Sequence, residues 1–383
     1  MKYLNLFLLS LVLLSSPLAQ ATLLVPSPPP INANAYLLLD FYSGKVLMEK
    51  NADERLEPAS LTKLMTAYLV FQQLQSGKIK LTDTTNISEK AWRMSGSRMY
   101  LEVGSAVSVE LLLQGMIIQS GNDASVALAE FIGGTEEAFA TLMNKQAQRL
   151  GLKNTHYTNS TGLPDEQHYT NARDTARIAR ALILEFPNYY RWYSKREFTY
   201  NNITQANRNR LLRHQSSLKG MKVDGMKTGY TDAAGYCLVA SALLGDMRLI
   251  SVVMGTKNEK ARTQMSEKML DYGFRFFQTY PLYQANQPID VERVWKGHIT
   301  QLPLGLSEPL YITVPKGQYG QLNATGHIDK YIMAPVVAGK PYGTLKIRLG
   351  NQIISERPLV ALSSVDKGPF WKRLIDSFLR LLY

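Results

Sequence analysis

The order of local patterns along the chain limits its fold more than any single residue does. "AYLLLDFYSGKVLMEKNAD" reads as two strands around a Tyr-Ser-Gly-Lys turn. From Ser60 to about Arg149, apolar residues recur at helical spacing in "LTKLMTAYLVFQQL", "VELLLQGMII", "NDASVALAEFIGG" and "EEAFATLMNKQAQRLG". Strands return in "REFTYNNI", "GMKTGY", "YCLVASALL" and "RLISVVMG", the last two joined by a Gly-Asp hairpin cue, and the helix "EKARTQMSEKMLDYGFRFF" follows. Strands, helices, then antiparallel strands predict an α+β fold in which the first and last strands are neighbours in one sheet with helices packed on it. The stretch from Leu152 to Asp174 has neither period and reads as a long functional loop.

From about Tyr283 the texture changes. "IDVERVWKG", "PLYITVPKG", "TGHIDKYIMAPVVAG" and "YGTLKIRLGNQIISERPLVAL" are short strand runs punctuated by Gly, Pro and Asn. A chain of 383 residues has room for a second unit of this kind, a small all-β domain over 283–363 that shows no catalytic cluster.

Both ends carry further signals. Residues 1–21 combine Lys2, an apolar run from Leu4 to Leu14 and the small-residue ending Ala19-Gln20-Ala21, the pattern of a secretory signal. The apolar core is shorter than the roughly 20 residues that span a bilayer, so the expected mature chain starts at Thr22, enters by a proline-rich lead-in and carries its first domain over 22–282. The last segment, 364–383, contains "GPFWKRLIDSFLRLLY", with Phe370, Trp371, Leu374, Ile375, Phe378, Leu379 and Leu382 at helical spacing and Lys372, Arg373, Asp376, Ser377 and Arg380 opposite. Such a helix either lies in a membrane surface or docks on the protein's own core; export and the basic flank favour the membrane surface. The formal charge of +12 suits an anionic partner, and with export the reading of that partner as nucleic acid falls away. Cys237 is the single cysteine, so there is no internal disulfide, and in "YCLVASALL" it reads as a small buried hydrophobe.

Ser60 and Lys63 stand three residues apart behind Glu57-Pro58-Ala59, at a helix start. That spacing brings hydroxyl and amine to one side, and a lysine whose pKa is lowered by burial or by a second cation can take a serine's proton. Alone, S-x-x-K is a weak signal. Two further motifs accompany it: Ser120-Gly121-Asn122 between helical stretches and Lys227-Thr228-Gly229 on a strand. The five histidines, His156, His168, His214, His298 and His327, have no metal-ligand spacing, so no metal or other cofactor is expected. Arg208 and Arg210 in "NRNRLL" either shape a substrate groove or form a solvated basic face.

Together S-x-x-K, S-x-N and K-T-G, in that order, mark the superfamily of β-lactamases and penicillin-binding proteins. With "PASLTKLMT", "IIQSGNDA", "NRNRLL", "VDGMKTGYT", "GDMRLISVVMG", "LDYGFRFF", "ITVPKGQ" and the amphipathic tail, the chain resembles the low-molecular-mass penicillin-binding proteins of the D-alanyl-D-alanine carboxypeptidase type over nearly its whole length. The resemblance implies a transpeptidase-like domain, an antiparallel sheet with helices on both sides and a helical subdomain, followed by the β domain and anchor. It implies a serine peptidase, inhibited by β-lactams, that trims D-alanine from peptidoglycan pentapeptide stems in the periplasm, held peripherally on the outer face of the cytoplasmic membrane. Residue by residue, it implies Ser60 as nucleophile, Lys63 as base, Ser120 as proton relay to the departing D-alanine and Asn122 as a donor to the substrate amide. Lys227 would keep the site positive and help to lower the Lys63 pKa, Thr228 would bind the terminal carboxylate with Arg248 as its longer-range partner, and Gly229 completes that substrate-binding motif. The oxyanion hole would be the N–H groups of Ser60 and Tyr230.

Departures from the superfamily pattern matter here. Glycine in S-G-N favours the carboxypeptidase group over class A β-lactamases, and "EQHYTN" does not match the E-x-x-L-N pattern those enzymes use for deacylation, which leaves Glu166 as a solvated loop residue. Tyr230 stands where relatives often carry histidine or a small hydroxyl residue. The rival readings are a β-lactamase, a D,D-endopeptidase and a non-catalytic wall scaffold.

Overall fold

The computed structural model describes residues 25–380 apart from positions 215, 217, 329 and 330; the expected signal at 1–21 and Leu382 of the tail lie outside the described residues. Its centre is a five-stranded antiparallel sheet built from β1 (Ala35–Asp40), β2 (Val46–Lys50), β3 (Lys222–Thr231), β4 (Gly235–Leu244) and β5 (Met247–Thr256), in the order β2-β1-β5-β4-β3. The first strand therefore pairs with the last, Leu37 opposite Val252, as the order of patterns predicts.

The strands are apolar on both faces because both are covered. Leu37, Leu39, Cys237, Val239, Ile250 and Val252 point into one core, while Leu38, Leu238, Ala240, Leu249 and Val253 point into the other, the two-residue alternation of a pleated strand. Cys237 is fully buried, and burial raises its thiol pKa to about 11, so it behaves as a small apolar side chain.

The first core takes in α1 (Lys63–Gln75), α2 (Val109–Gln114), α3 (Asn122–Gly133), α4 (Glu136–Arg149) and α5 (Ala172–Glu185). The second is closed by α6 (Glu259–Phe276), whose Met265, Met269, Leu270 and Phe274 lie on the sheet. Helices start on side-chain caps: Ser108 before α2, Thr135 before α4, Asn171 before α5 and Asn258 before α6 each accept a backbone N–H. The helix α5 begins at Ala172, inside the 152–174 stretch expected as loop, and buries Ala176, Ile178, Ala179, Leu182 and Ile183; that 3.6-residue stripe is present in "ARDTARIARALILE".

A third core belongs to the β-rich part of the chain, where β6 (Phe277–Tyr283), β7 (Pro288–Trp295), β8 (Gln301–Gly305), β9 (Leu310–Pro315), β10 (Leu322–Ile328), β11 (Ile332–Met333), β12 (Pro341–Leu349) and β13 (Gln352–Ala361) enclose Val294, Leu304, Val314, Ile347 and Leu359. The hairpin turn between β1 and β2 meets it: Thr279 Oγ1 donates to Asp40 Oδ2 at 2.7 Å, Ser43 and Thr313 hydroxyls lie 2.6 Å apart, and Tyr42 stacks on Tyr311.

The last described helix, α7 (Phe370–Leu379), is docked in reverse of the usual sense. Asp376, on its polar side, is only 4% exposed, accepts the Lys296 N–H at 2.6 Å and lies 3.4 Å from Arg293. Phe370, Trp371, Leu374, Ile375 and Phe378 are exposed, Trp371 and Phe378 to 71%.

Candidate active site

Residues Ala59–Thr62 form one tight 3-10 turn ahead of α1, and the chain enters it through Ala59 at φ +47°, a left-handed conformation that a non-glycine residue adopts only when its surroundings enforce it. This turn sets Ser60 at the mouth of a cleft while Lys63, three residues on, is buried at 1% exposure. Lys63 Nζ lies 2.9 Å from Ser60 Oγ, 2.7 Å from Asn122 Oδ1 and 2.7 Å from the Thr161 carbonyl. The orientation of the Asn122 amide is fixed by its Nδ2 donating to Ser95 O at 2.6 Å.

Two of those three partners can only accept. A neutral amine has two N–H groups and one lone pair. In the neutral amine, with its N–H groups held by Asn122 and Thr161, the lone pair would be directed at the Ser60 hydroxyl, which is a geometry for removing that proton. Burial lowers the Lys63 pKa to about 7, with the Arg208 charge adding to the effect and Asp123 and Glu136 opposing it.

Across the cleft, Lys227 on β3 donates to Ser120 Oγ at 2.8 Å and to its neighbour's carbonyl, Thr228 O, at 3.0 Å. Ser120 follows a π-helical turn, Gly115–Gln119, and sits at φ +69°, which turns its hydroxyl back toward the lysine. Burial is again the first cause of a Lys227 pKa well below the usual lysine value, and the charge of Lys63 is the second. Of the two causes expected to lower the Lys63 pKa, burial and a second cation, burial leads, as it does for Lys227.

Asn122 is placed by its neighbour. Asp123, fully buried at the start of α3, accepts backbone N–H bonds from Met99, Tyr100 and Leu101, and Asn122 N donates to Ser97 O. Gly229 allows β3 to lie against the serine turn: a Cβ there would stand 3.1 Å from Pro58 O and 3.3 Å from Ser60 N.

The third wall is the segment between α4 and α5, and it supplies Thr161 O. Asn159 Oδ1 accepts the N–H groups of Thr161 and Gly162; Ser160 N and Oγ donate to Glu136, and Ser160 O accepts from Thr66 and Ser125. His168 Nδ1 accepts Thr158 N–H, which leaves its proton on Nε2 for Thr62 Oγ1 at 2.8 Å; burial lowers its pKa to about 4, so the ring stays neutral. Gly162, at φ +84°, passes so near the serine turn that a Cβ would stand 1.7 Å from Ala59 O. Glu166 is exposed.

The cleft encloses about 400 Å³, and its walls include Ser60, Ser120, Asn122, Thr228, Gly229 and Tyr230. Tyr230 is half exposed, and its hydroxyl donates to Asp232 at 2.6 Å. Arg248 is the one sequence-predicted site residue that is not brought in. It faces Leu243 near the far end of β4–β5 and is engaged by both oxygens of Asp224, at 2.8 and 3.0 Å, and by Ser241. The arginines at the cleft are Arg208, whose Nε donates to Gln119 O, and Arg262, which reaches from α6 to Gly229 O at 3.1 Å while 4% exposed. Arg262 had a readable signal: it is a lone charge on the buried Ala261–Met265–Ser266–Met269 face of α6. Among the described residues, no group of three or more His, Cys, Asp or Glu is placed to hold a metal.

A buried lysine amine one helical turn from a serine, beside an antiparallel sheet sandwiched between helices, is the arrangement of the transpeptidase-like serine hydrolases. Comparison with known proteins narrows that class. A family model described as D-alanyl-D-alanine carboxypeptidase matches residues 23–258, and one described as the penicillin-binding protein 5 C-terminal domain matches 277–367. The chain is 43% identical over 367 residues to D-alanyl-D-alanine carboxypeptidase DacA of Escherichia coli K12, covering 94% of this chain and 90% of that one. Its structure superposes on penicillin-binding protein 5 from Haemophilus influenzae with a TM-score of 0.86 at 42% identity, covering 89% and 100% of the two chains. Penicillin-binding protein D2 from Listeria monocytogenes, solved in the ampicillin-bound form, matches 64% of this chain and 100% of its own at 30% identity and a TM-score of 0.58. The chain belongs to the D-alanyl-D-alanine carboxypeptidase family, and it is a serine peptidase.

Proposed function

We propose that Ser60 is the nucleophile of a D-alanyl-D-alanine carboxypeptidase acting on peptidoglycan pentapeptide stems, and that the amine of Lys63 is its base. The observation that carries this is the three-way setting of Lys63, with two fixed acceptors and the serine as its remaining partner. Lys63 takes the Ser60 proton as Oγ attacks the penultimate D-alanine carbonyl, and the N–H groups of Ser60 and Tyr230 receive the oxyanion. Ser120, backed by Lys227, passes a proton to the departing D-alanine amine, and Asn122 holds the substrate amide. Thr228, with Arg208 and Arg262 in the role first read for Arg248, meets the terminal carboxylate. Water then releases the shortened stem with Lys63 as base again. A β-lactam would acylate Ser60 by the same attack, as the ampicillin-bound relative suggests.

With Lys63 titrating at about 7, kcat/KM for a pentapeptide ending in D-Ala-D-Ala should fall about tenfold per pH unit on the acid side of 7 and level off above it. The sign follows from the base: protonation removes the lone pair. A flat profile between about pH 5 and about pH 9 would contradict the assignment.

We further infer that the chain is exported to the periplasm and held peripherally at the outer face of the cytoplasmic membrane by α7. No helix among the described residues is long and apolar enough to cross a membrane, whereas α7 exposes an apolar face flanked by Lys372 and Arg373. Removing residues 369–383 should abolish sedimentation with anionic phospholipid vesicles and leave pentapeptide hydrolysis within about twofold of the full chain. Continued co-sedimentation of the truncated protein would disprove the anchor.

A further inference from the structure

The two fixed acceptors of Lys63, Thr161 O and Asn122 Oδ1, are each held from outside the cleft, and their supports meet in one ion pair. The peptide before Thr161 is clamped at both ends: Glu136 Oε1 accepts Ser160 N at 2.9 Å and Ser160 Oγ at 2.7 Å, and Ser160 O accepts the Thr66 hydroxyl at 2.7 Å and the Ser125 hydroxyl at 3.2 Å. Asn122 is oriented by Ser95 O and Ser97 O, in the segment that follows the four-residue helix Glu89–Trp92. From that short helix Lys90 reaches the other oxygen of Glu136, Oε2, at 3.0 Å, and Glu137 Oε1 at 2.9 Å.

An acid in the first turn of a helix is favoured by the helix dipole wherever its side chain points. Glu137 shows what that alone gives: its side chain is 75% exposed. Glu136, one residue earlier at the start of α4, is instead buried at 7% exposure and turned to the loop. The cap of α4 does not need it there, since Thr135 already accepts the Ala138 N–H. Burying a carboxylate is costly unless donors and a cation meet it, and both Ser160 donors and the Lys90 ammonium do so.

We propose that Glu136 is a positioning residue for the base: its carboxylate holds the Ser160–Thr161 peptide so that Thr161 O meets the Lys63 amine, and through Lys90 it ties that loop to the segment that orients Asn122. The inference rests on the role given above to Lys63. Glu136 touches no reacting atom and acts through the peptide and through its charge. The charged groups around the Lys63 amine are Asp123 at the start of α3 and Glu136, which favour its protonated form, Arg208, which disfavours it, and Lys227 on β3, which Lys63 repels; His168, from the loop, is neutral. Removing the Glu136 charge therefore lowers the Lys63 pKa and moves the acid limb of activity to lower pH.

The test measures acylation by penicillin in the full chain from about pH 5 to about pH 9, with Glu136→Ala, Glu136→Gln and Lys90→Met beside the wild type. Glutamine keeps an acceptor for Ser160 and loses the charge; alanine loses both. On the plateau above the Lys63 pKa, Glu136→Ala should acylate at least about tenfold more slowly, because the loop carbonyl is no longer aligned. Glu136→Gln should recover most of that rate, with an acid-limb midpoint below that of the wild type. Lys90→Met, which cuts only the tie between the two supports, should slow acylation by about threefold, in keeping with a partly exposed ion pair. A purely structural Glu136 would lower the unfolding temperature of its variants without moving the midpoint. Glu136→Ala or Lys90→Met at the parental rate, or a Glu136→Gln profile with the parental midpoint, overturns the proposal; should the alanine variant not fold, the other two decide it. A flat wild-type profile would instead count against Lys63 as the base on which the inference rests.

Discussion

Replacing Ser60 by alanine is expected to lower D-alanine release from a pentapeptide by roughly five to six orders of magnitude, the loss usual when a catalytic nucleophile is removed from a machinery that works as a unit. The same variant should take no covalent label from a penicillin, read by intact-protein mass spectrometry. Its thermal midpoint should stay close to that of the parent, because the lost hydroxyl is partly exposed at the cleft mouth and its hydrogen bond is to Lys63 Nζ. The variant then separates chemistry from folding: a stable protein that still acquires the penicillin mass would remove Ser60 from the mechanism.

A second large effect is expected at a residue that brings no side chain to the site. Gly162→Ala would put a methyl group 1.7 Å from Ala59 O and 2.8 Å from Thr62 Oγ1, at a φ of +84° that L side chains rarely adopt. Backbone strain and overpacking each cost about 1–3 kcal/mol. The relief available is withdrawal of the loop from the serine turn, which would carry Thr161 O away from Lys63 and release one of the two acceptors that aim the lone pair. We expect acylation by penicillin to slow at least about a hundredfold, since displacements near 1 Å have that effect on aligned groups, together with a lower unfolding temperature. Stopped-flow acylation and calorimetry measure both, and a variant that acylates at the parental rate would show that the loop carbonyl does not position the base.

These two residues also mark what was and was not legible beforehand. That Ser60, Lys63, Ser120, Asn122, Lys227 and Thr228 gather at one cleft was legible because they are side chains at fixed spacing in three motifs, and the antiparallel pairing of β1 with β5 followed from where the apolar runs fall. The contribution of Thr161 could not be found that way: it is a peptide carbonyl, which every residue possesses, and only the fold distinguishes it. Arg248 shows a different limit. The alternation of a strand tells which face a side chain takes, whereas its position along the strand depends on register, and here register pairs Arg248 with Leu243 while the cleft end of the same hairpin lies at Tyr236 and Thr256. The arginine that fills the cleft comes from α6, where a single buried charge on an apolar stripe, Arg262, was the available sign.

The reversed docking of α7 bears on how the enzyme would work at a surface. Had its apolar side been packed inward, the helix would be one more structural element; had it been free, the protein would drift on a leash of several residues. Instead the Lys296 N–H and Arg293 hold Asp376, and through it the helix backbone, against the β-rich unit. With the outer face sunk in lipid, that hold would make the helix a mounting bracket: the tilt and height of the cleft above the bilayer would be set by protein geometry, and the enzyme would sweep one fixed layer of wall.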